Sequence, residues 1–397
     1  MYNSRLLTDF HELKLNAHPV GQLRVLLVSQ YALPKLGGLE TAVENLAVGL
    51  VKAGHRSTIL TSSCGEGAIP ETRVRRVRVR AWNGLERIMR VPYPIFSPAL
   101  DGALRAEIAD CDVVHIHGFL FHSSIIALRL AGRAGKPVVV TEHVGFTRYP
   151  SPLLNFAQRT AFQIFTRRFL RSAATVICLN HRVQDWLRDQ MPDPGKLRLV
   201  PNGIDLTHFR PASPEEKLEA RLRLGISPHR PVVLFVGRFV PKKHVERLLI
   251  PFDGTFDLVL CGPDLPEGNH KAVRHICVPP SEMPTIYRAA DVFALPSEGE
   301  GFPMSVMEAM ASGLSAVVCR DRAYEGQVDD TEIVQTEVDV AAFHRAIKDL
   351  LGDPGRRARI GDAARKRAVA DFGVTRSTAR HVEIYEGAMA GSPGRRA

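Results

Sequence analysis

Ala289-Ala290-Asp291-Val292-Phe293-Ala294-Leu295-Pro296-Ser297, followed by Glu300-Gly301-Phe302-Pro303-Met304-Ser305-Val306-Met307-Glu308 and Ala309-Met310-Ala311-Ser312-Gly313, is the stretch that decides the fold. The apolar run bounded by Asp291 and Pro296 predicts a buried parallel strand that ends at a loop. The Gly-bearing loop then passes into a helix of small and apolar residues. Strand, loop and helix N-terminus together form an anion site, because the first-turn amides are unpaired and the helix dipole adds partial positive charge. Carboxylates stand at both ends of this unit. From one to two turns into the helix, Glu308 can accept two hydrogen bonds from a ribose diol, and Glu300 at the loop entrance can accept from sugar hydroxyls.

Two Glu eight residues apart mean little by themselves, since solvated helices carry many Glu. Here the strand before the pair, the Pro296-Ser297 strand end and the small-residue helix give it context. The segment resembles the E-x7-E signature of retaining GT-B glycosyltransferases, in particular glycosyltransferase family 4. The resemblance implies that Glu300, Gly301, Phe302, Pro303, Met304 and Glu308 contact a nucleoside-diphosphate sugar. Many family members have Gly where this chain has Pro303, which removes one amide donor from the loop.

Gly237-Arg238-Phe239-Val240-Pro241-Lys242-Lys243 follows another predicted central strand and resembles the family's phosphate clamp. Arginine and lysine suit that task. A leaving diphosphate gains charge toward the transition state, and donors that contact it more strongly there lower the barrier. Arg238 can fork across two oxygens, while Lys243 acts as a point charge. The family usually has Gly after this Lys, and this chain has His244. Gly37 and Gly38 lie after the first strand, and without Cβ atoms they permit close backbone approach to the diphosphate or the acceptor.

Val113-Val114-His115-Ile116-His117 and Val138-Val139-Val140-Thr141-Glu142-His143 each end a predicted strand in histidine. A strand-end histidine is more often a structural hydrogen bonder. The resemblance assigns His143 to the reacting centre, with His117 the second choice on the acceptor side. It also implies retention by same-face attack, with the departing phosphate deprotonating the acceptor hydroxyl. Neither a cofactor nor a metal is expected, since Asp110-Cys111-Asp112 precedes a strand and reads as a turn.

With 397 residues, 45% hydrophobic and 24% charged, the chain can build two full cores. The alternation of apolar runs and helical stripes predicts two doubly wound α/β domains, and the resemblance implies the GT-B arrangement, in which two Rossmann-like domains face a cleft. The expected division is an N-terminal extension 1–22, an acceptor-side domain 23–203, a nucleotide-sugar domain 204–373, a helix 374–391 that crosses back to the N-terminal domain, and a disordered tail 392–397. Pro201-Asn202-Gly203-Ile204-Asp205 resembles the family's hinge between the domains, and the polar run Ser213-Pro214-Glu215-Glu216-Lys217 follows it. The six cysteines have no ligand spacing and read as reduced thiols, four of them in apolar runs. No signal-peptide core or spanning segment is expected, so the chain reads as cytoplasmic.

The formal net charge of +10 implies an anionic partner. Nucleic acid is disfavoured, because no recognition motif and no interleaved aromatics accompany the basic residues. An anionic membrane surface or a lipid-pyrophosphate substrate fits better. Arg73 to Arg80 partly alternates and reads as a charged edge strand. Residues 151–171 mix Leu153, Leu154, Phe156, Phe162, Ile164, Phe165 and Phe169 with Arg159, Arg167, Arg168 and Arg171, with no clean two-faced wheel. They read equally as a buried helix and as a lipid-touching surface. The resemblance implies transfer of a sugar to a lipid-linked or polysaccharide acceptor, in envelope, lipopolysaccharide or exopolysaccharide assembly. A sugar-nucleotide epimerase and a silent sugar-nucleotide-binding module are the alternatives.

Overall fold

The computed structural model describes residues 21–35, 37–65, 72–89, 91–145, 152–250, 253–263 and 273–391. Most of the expected N-terminal extension, the tail 392–397, Leu36 and Ser151 lie outside the described residues, as do the side chains of Leu154, Phe165, Arg167 and Arg168.

Two parallel sheets carry the fold. In spatial order the seven-stranded sheet runs Arg75–Val79, Arg56–Ser62, Arg24–Val28, Val113–His117, Val138–Glu142, Thr175–Cys178 and Leu197–Leu199. The six-stranded sheet runs Val273–Ile276, Asp257–Cys261, Val232–Val236, Val292–Leu295, Ser315–Cys319 and Val334–Thr336. In each, the strand order reverses beside the first strand, and that switch opens a crevice at the carboxyl ends of the strands. The inner strands are continuous apolar runs because helices cover both faces. Val292, Phe293, Ala294 and Leu295 are fully buried.

Helix starts follow local chemistry. Asn180 caps His181–Arg188 by accepting from the Val183 amide at 2.9 Å. The polar run at Ser213 starts a helix, Pro214–Arg223, closed by a capping box between Ser213 and Glu216. The Ser-x-x-Glu spacing satisfies two amides at once, so polarity marks a cap and not a loop.

The crossings between the sheets run side by side. The Ile204 amide donates to the Phe372 carbonyl at 2.7 Å, and the Val374 amide donates to the Ile204 carbonyl at 2.9 Å. From there the helix Val374–Ala390 returns to the first sheet, where buried Tyr385 and Ala388 join the core of that sheet. Each sheet carries its own hydrophobic core, and the cleft lies between them.

Candidate active site

Loop 296–303 leaves the strand Val292–Leu295 and enters the helix Met304–Ala311. Every residue of that helix is buried except Glu308, which is half-buried and so is the group the helix offers to solvent. Its Oε2 accepts from the Tyr287 hydroxyl at 2.7 Å. Burial raises the Glu308 carboxyl to about 7 against the downward pull of that bond.

Glu300 sits among cations, with Oε1 3.3 Å from Lys243 Nζ and 3.5 Å from Lys242 Nζ. Burial would raise this carboxyl, but the two ammonium groups outweigh it and hold it below its ordinary value. Burial in turn lowers Lys243, against the opposing pull of Glu300. Sequence gave Lys243 a role and left Lys242 as filler, yet both face Glu300. His244, where Gly is usual, takes the left-handed conformation a glycine would adopt, at φ 46° and ψ 42°. Its ring meets Glu246 Oε1 at 2.9 Å.

The first sheet supplies the opposite wall. Gly38 faces the helix start, where an added Cβ would stand 3.7 Å from Met304 Cγ. Glu40 folds its carboxylate back over Gly37 and is buried there, which raises its pKa against the field of Arg238 across the cleft. Arg238 itself is exposed. Of the expected site residues, Gly38 thus stands against Met304, Gly37 lies under Glu40 in the field of Arg238, and Lys243 pairs with Glu300. A Cβ on Gly301 would fall 2.6 Å from the His143 carbonyl oxygen, so only glycine lets the two walls meet. The Phe302 ring is buried between Tyr324 and Phe372, at centroid distances of 5.6 and 5.0 Å, and serves the core.

His117 and His143 share a hydrogen bond of 3.0 Å between Nδ1 and Nε2. His115 bonds Tyr385 and Thr141, each at 2.7 Å, which ties the returning helix to the strand ends. These rings are buried, and burial lowers His143 to about 4, so it is neutral at physiological pH. His117 Nε2 has no partner among the described residues. It borders a cavity of ≈ 20 Å³ lined also by His143, Thr378 and His381.

Arg182 is a participant that sequence gave no reason to single out. From the helix after Asn180 it donates to the Glu300 carbonyl and lies 3.8 Å from Asp321 Oδ1. Asp321 in turn accepts from the Gly299 amide at 3.0 Å. Among the described residues, no group of three or more His, Cys, Asp or Glu could hold a metal ion.

Comparison with known proteins shows the family. Residues 36–208 match the model of Glycosyltransferase Family 4, and residues 216–367 match that of Glycosyl transferases group 1. The chain belongs to the GT-B glycosyltransferases of group 1. A GDP-mannose-dependent alpha-mannosyltransferase of Mycolicibacterium smegmatis is 28% identical over 307 residues, covering 74% of this glycosyltransferase and 79% of that protein. A D-inositol 3-phosphate glycosyltransferase of Corynebacterium glutamicum is 26% identical, covering 93% of this chain and 97% of the relative. Among solved structures, sucrose-phosphate synthase from Thermosynechococcus elongatus superposes with a TM-score of 0.74 at 21% identity, over 94% of this chain and all, 100%, of that one. Anabaena Alr3699/HepE in complex with UDP-glucose gives 0.73 at 16% identity, over 92% and 100%. These likenesses show the fold.

Proposed function

We propose that this glycosyltransferase moves a sugar, with retention of anomeric configuration, from a nucleoside diphosphate to a hydroxyl of a lipid-linked or saccharide acceptor. The observation that carries the reading is Glu300 between Lys242 and Lys243, one helix entry away from the solvent-facing carboxylate of Glu308. Glu308 accepts from the ribose diol. Glu300 accepts from hydroxyls of the transferred sugar, and Arg238, Lys242 and Lys243 hold the diphosphate. As the bond from anomeric carbon to phosphate oxygen breaks, its electron pair goes to the diphosphate, and the cationic groups stabilise the growing charge. The acceptor oxygen attacks from the same face and gives its proton to the departing phosphate. Neutral His143 beside the Gly301 approach bonds the sugar without adding charge.

A relative named for GDP-mannose and a structural neighbour bound to UDP-glucose support a nucleotide-sugar donor. An envelope or exopolysaccharide acceptor on the cytoplasmic face of a membrane fits the exposed Leu153, Phe156 and Ile164, which accompany exposed Arg159 and Arg171. No helix among the described residues is long and apolar enough to cross a membrane. Incubation with radiolabelled nucleotide sugars tests the assignment. Transfer or slow hydrolysis with release of nucleoside diphosphate is expected. Epimerised donor, or binding without turnover, overturns it.

A further inference from the structure

A polar cluster beside the cleft is used by none of these roles. Tyr31 follows the first strand, Lys35 lies on the same loop, and the short helix Gly84–Met89 brings Glu86 against them. The Tyr31 hydroxyl lies 2.5 Å from Asn83 Oδ1 and 2.8 Å from Glu86 Oε2. Asn83 Nδ2 donates to the same Oε2 at 2.7 Å, and Lys35 Nζ donates to it as well while standing 3.5 Å over the Tyr31 ring. All three side chains converge on Oε2. Glu86 Oε1 takes no bond among the described residues, although a carboxylate has about four acceptor sites. Burial would raise Glu86, and the bonds from Lys35, Asn83 and Tyr31 outweigh it, so the acceptor oxygen stays ionised.

An exposed aromatic ring stands at the start of the helix that carries this acceptor. Trp82 is 55% exposed at the residue before Asn83. A Cβ on Gly84 would fall 1.9 Å from its ring, so glycine lets the indole lie against the start of the helix that carries Glu86. Lys35 stands two residues before Gly37, over which Glu40 folds its carboxylate, so the cluster continues the loop of the first wall.

We infer that Trp82, Asn83, Glu86 and Lys35 form the subsite for the acceptor, and that the acceptor presents neutral polyol or saccharide hydroxyls there. This rests on the glycosyltransferase reading above. A free carboxylate oxygen accepts from hydroxyls, an ammonium and an amide serve neighbouring oxygens, and an exposed indole covers the CH face of a sugar ring. A phosphate group is poorly matched, since Glu86 already neutralises Lys35.

The chain has two tryptophans, so Trp186→Phe leaves Trp82 as the reporter. In that protein, Trp82 emission is titrated with methyl α-mannoside, methyl α-glucoside, myo-inositol and inorganic phosphate. A saturable shift with a neutral probe is expected, and Glu86→Gln should weaken it about tenfold, the loss of one charge-assisted bond. Trp82→Ala, at an exposed position, should abolish the same binding in calorimetry, which covers the case where Glu86→Gln fails to fold. No response to any neutral probe, a response to phosphate alone, or full binding in both variants overturns the subsite. Nucleoside-diphosphate affinity is measured on the same proteins and should be unchanged. If no nucleoside diphosphate binds the unmodified protein, the donor reading fails by itself, whatever the saccharides do.

Discussion

Tyr287 donates its hydroxyl to Oε2 of Glu308 at 2.7 Å from a position that is itself fully buried, so the carboxylate proposed for the ribose is aimed by a group that solvent cannot reach. The same hydroxyl lies 3.2 Å from the Ser305 carbonyl, which leaves Tyr287 wedged between the first turn of the helix and Glu308.

Donor affinity should therefore depend on pH. With Glu308 near 7, the carboxylate needed by the diol is present above that pH and lost below it. Nucleoside-diphosphate binding in calorimetry should rise through neutrality. Tyr287→Phe removes a bond that favours the ionised form, so the midpoint should move upward, while Glu308→Gln should give weak, flat binding. A midpoint unmoved by Tyr287→Phe removes Tyr287 from this role.

The same carboxylate costs stability. Its folded pKa of about 7 lies above its ordinary value of 4.5, so the folded state holds the proton more tightly. Stability from this group is full below 4.5 and is lost as pH rises through 7. Glu308→Gln should thus stabilise the fold at pH 8, by on the order of 2 kcal/mol, and raise the melting midpoint there but not at pH 4. Equal midpoints at pH 8 contradict a carboxylate that its surroundings partly desolvate.

How far the site could be read from sequence follows from distance along the chain. Glu300, Gly301 and Glu308 belong to one strand-loop-helix unit, and the physics of anion binding at a helix start is local, so their placement was legible. Lys243 was legible because it follows a second strand of the same kind. Arg182 touches the Glu300 carbonyl from 118 residues away, and no local pattern announces that contact. Tyr287 and Glu308 are separated by 21 residues and meet only because helix Met283–Ala289 packs near the next one. The edge strand Val334–Thr336 is three residues long, too short for periodicity to show. Residues 152–171 gave no clean wheel because a π-helix, Phe162–Thr166, interrupts them and shifts the register between the flanking turns.

Two contacts across the cleft should differ sharply in worth. Arg322 and Asp185 approach to 2.9 Å but are well exposed, and such pairs contribute about 0 to 1 kcal/mol. Arg182 reaches a backbone carbonyl of the donor loop from a partly buried position. Arg322→Ala should leave kinetics nearly unchanged. Arg182→Ala should raise the donor Michaelis constant about tenfold, the order expected for a hydrogen bond from a charged group. Equal effects in steady-state kinetics would deny Arg182 its hold on the loop.

Gly301→Ala tests the meeting of the two walls. Its Cβ would lie 2.6 Å from the His143 carbonyl, and both partners are backbone, so neither can rotate away. The domains must separate locally. Turnover should fall by more than tenfold, with a loss of roughly 1 to 3 kcal/mol in stability. Gly102→Ala is the control, since a Cβ there meets nothing within 4 Å. Matching behaviour of the two variants in kinetics and thermal melts would remove the constraint.

The basic edge strand and the aromatic-rich helix make opposite predictions for membrane binding. Arg75 forks onto Glu107 at 2.8 and 2.9 Å, Arg76 pairs with Glu44, and Arg78 donates to the Ser63 and Gly65 carbonyls. Those charges are committed within the domain, as an edge strand's would be. Reversing Arg75 places two carboxylates together with Glu107 buried, so it should lower the melting midpoint without acting on membranes. Leu153, Phe156 and Ile164 are 74%, 67% and 64% exposed, so Phe156→Asp and Ile164→Asp cost the fold little. If this helix docks on lipid, the unmodified protein should pellet with anionic liposomes and be released by salt, which shortens the Debye length below about 8 to 10 Å and screens the attraction beyond it. The paired Asp variants should stay in the supernatant. Pelleting that survives both Asp substitutions, or that Arg75→Glu alone abolishes in a folded protein, would move the contact away from this helix.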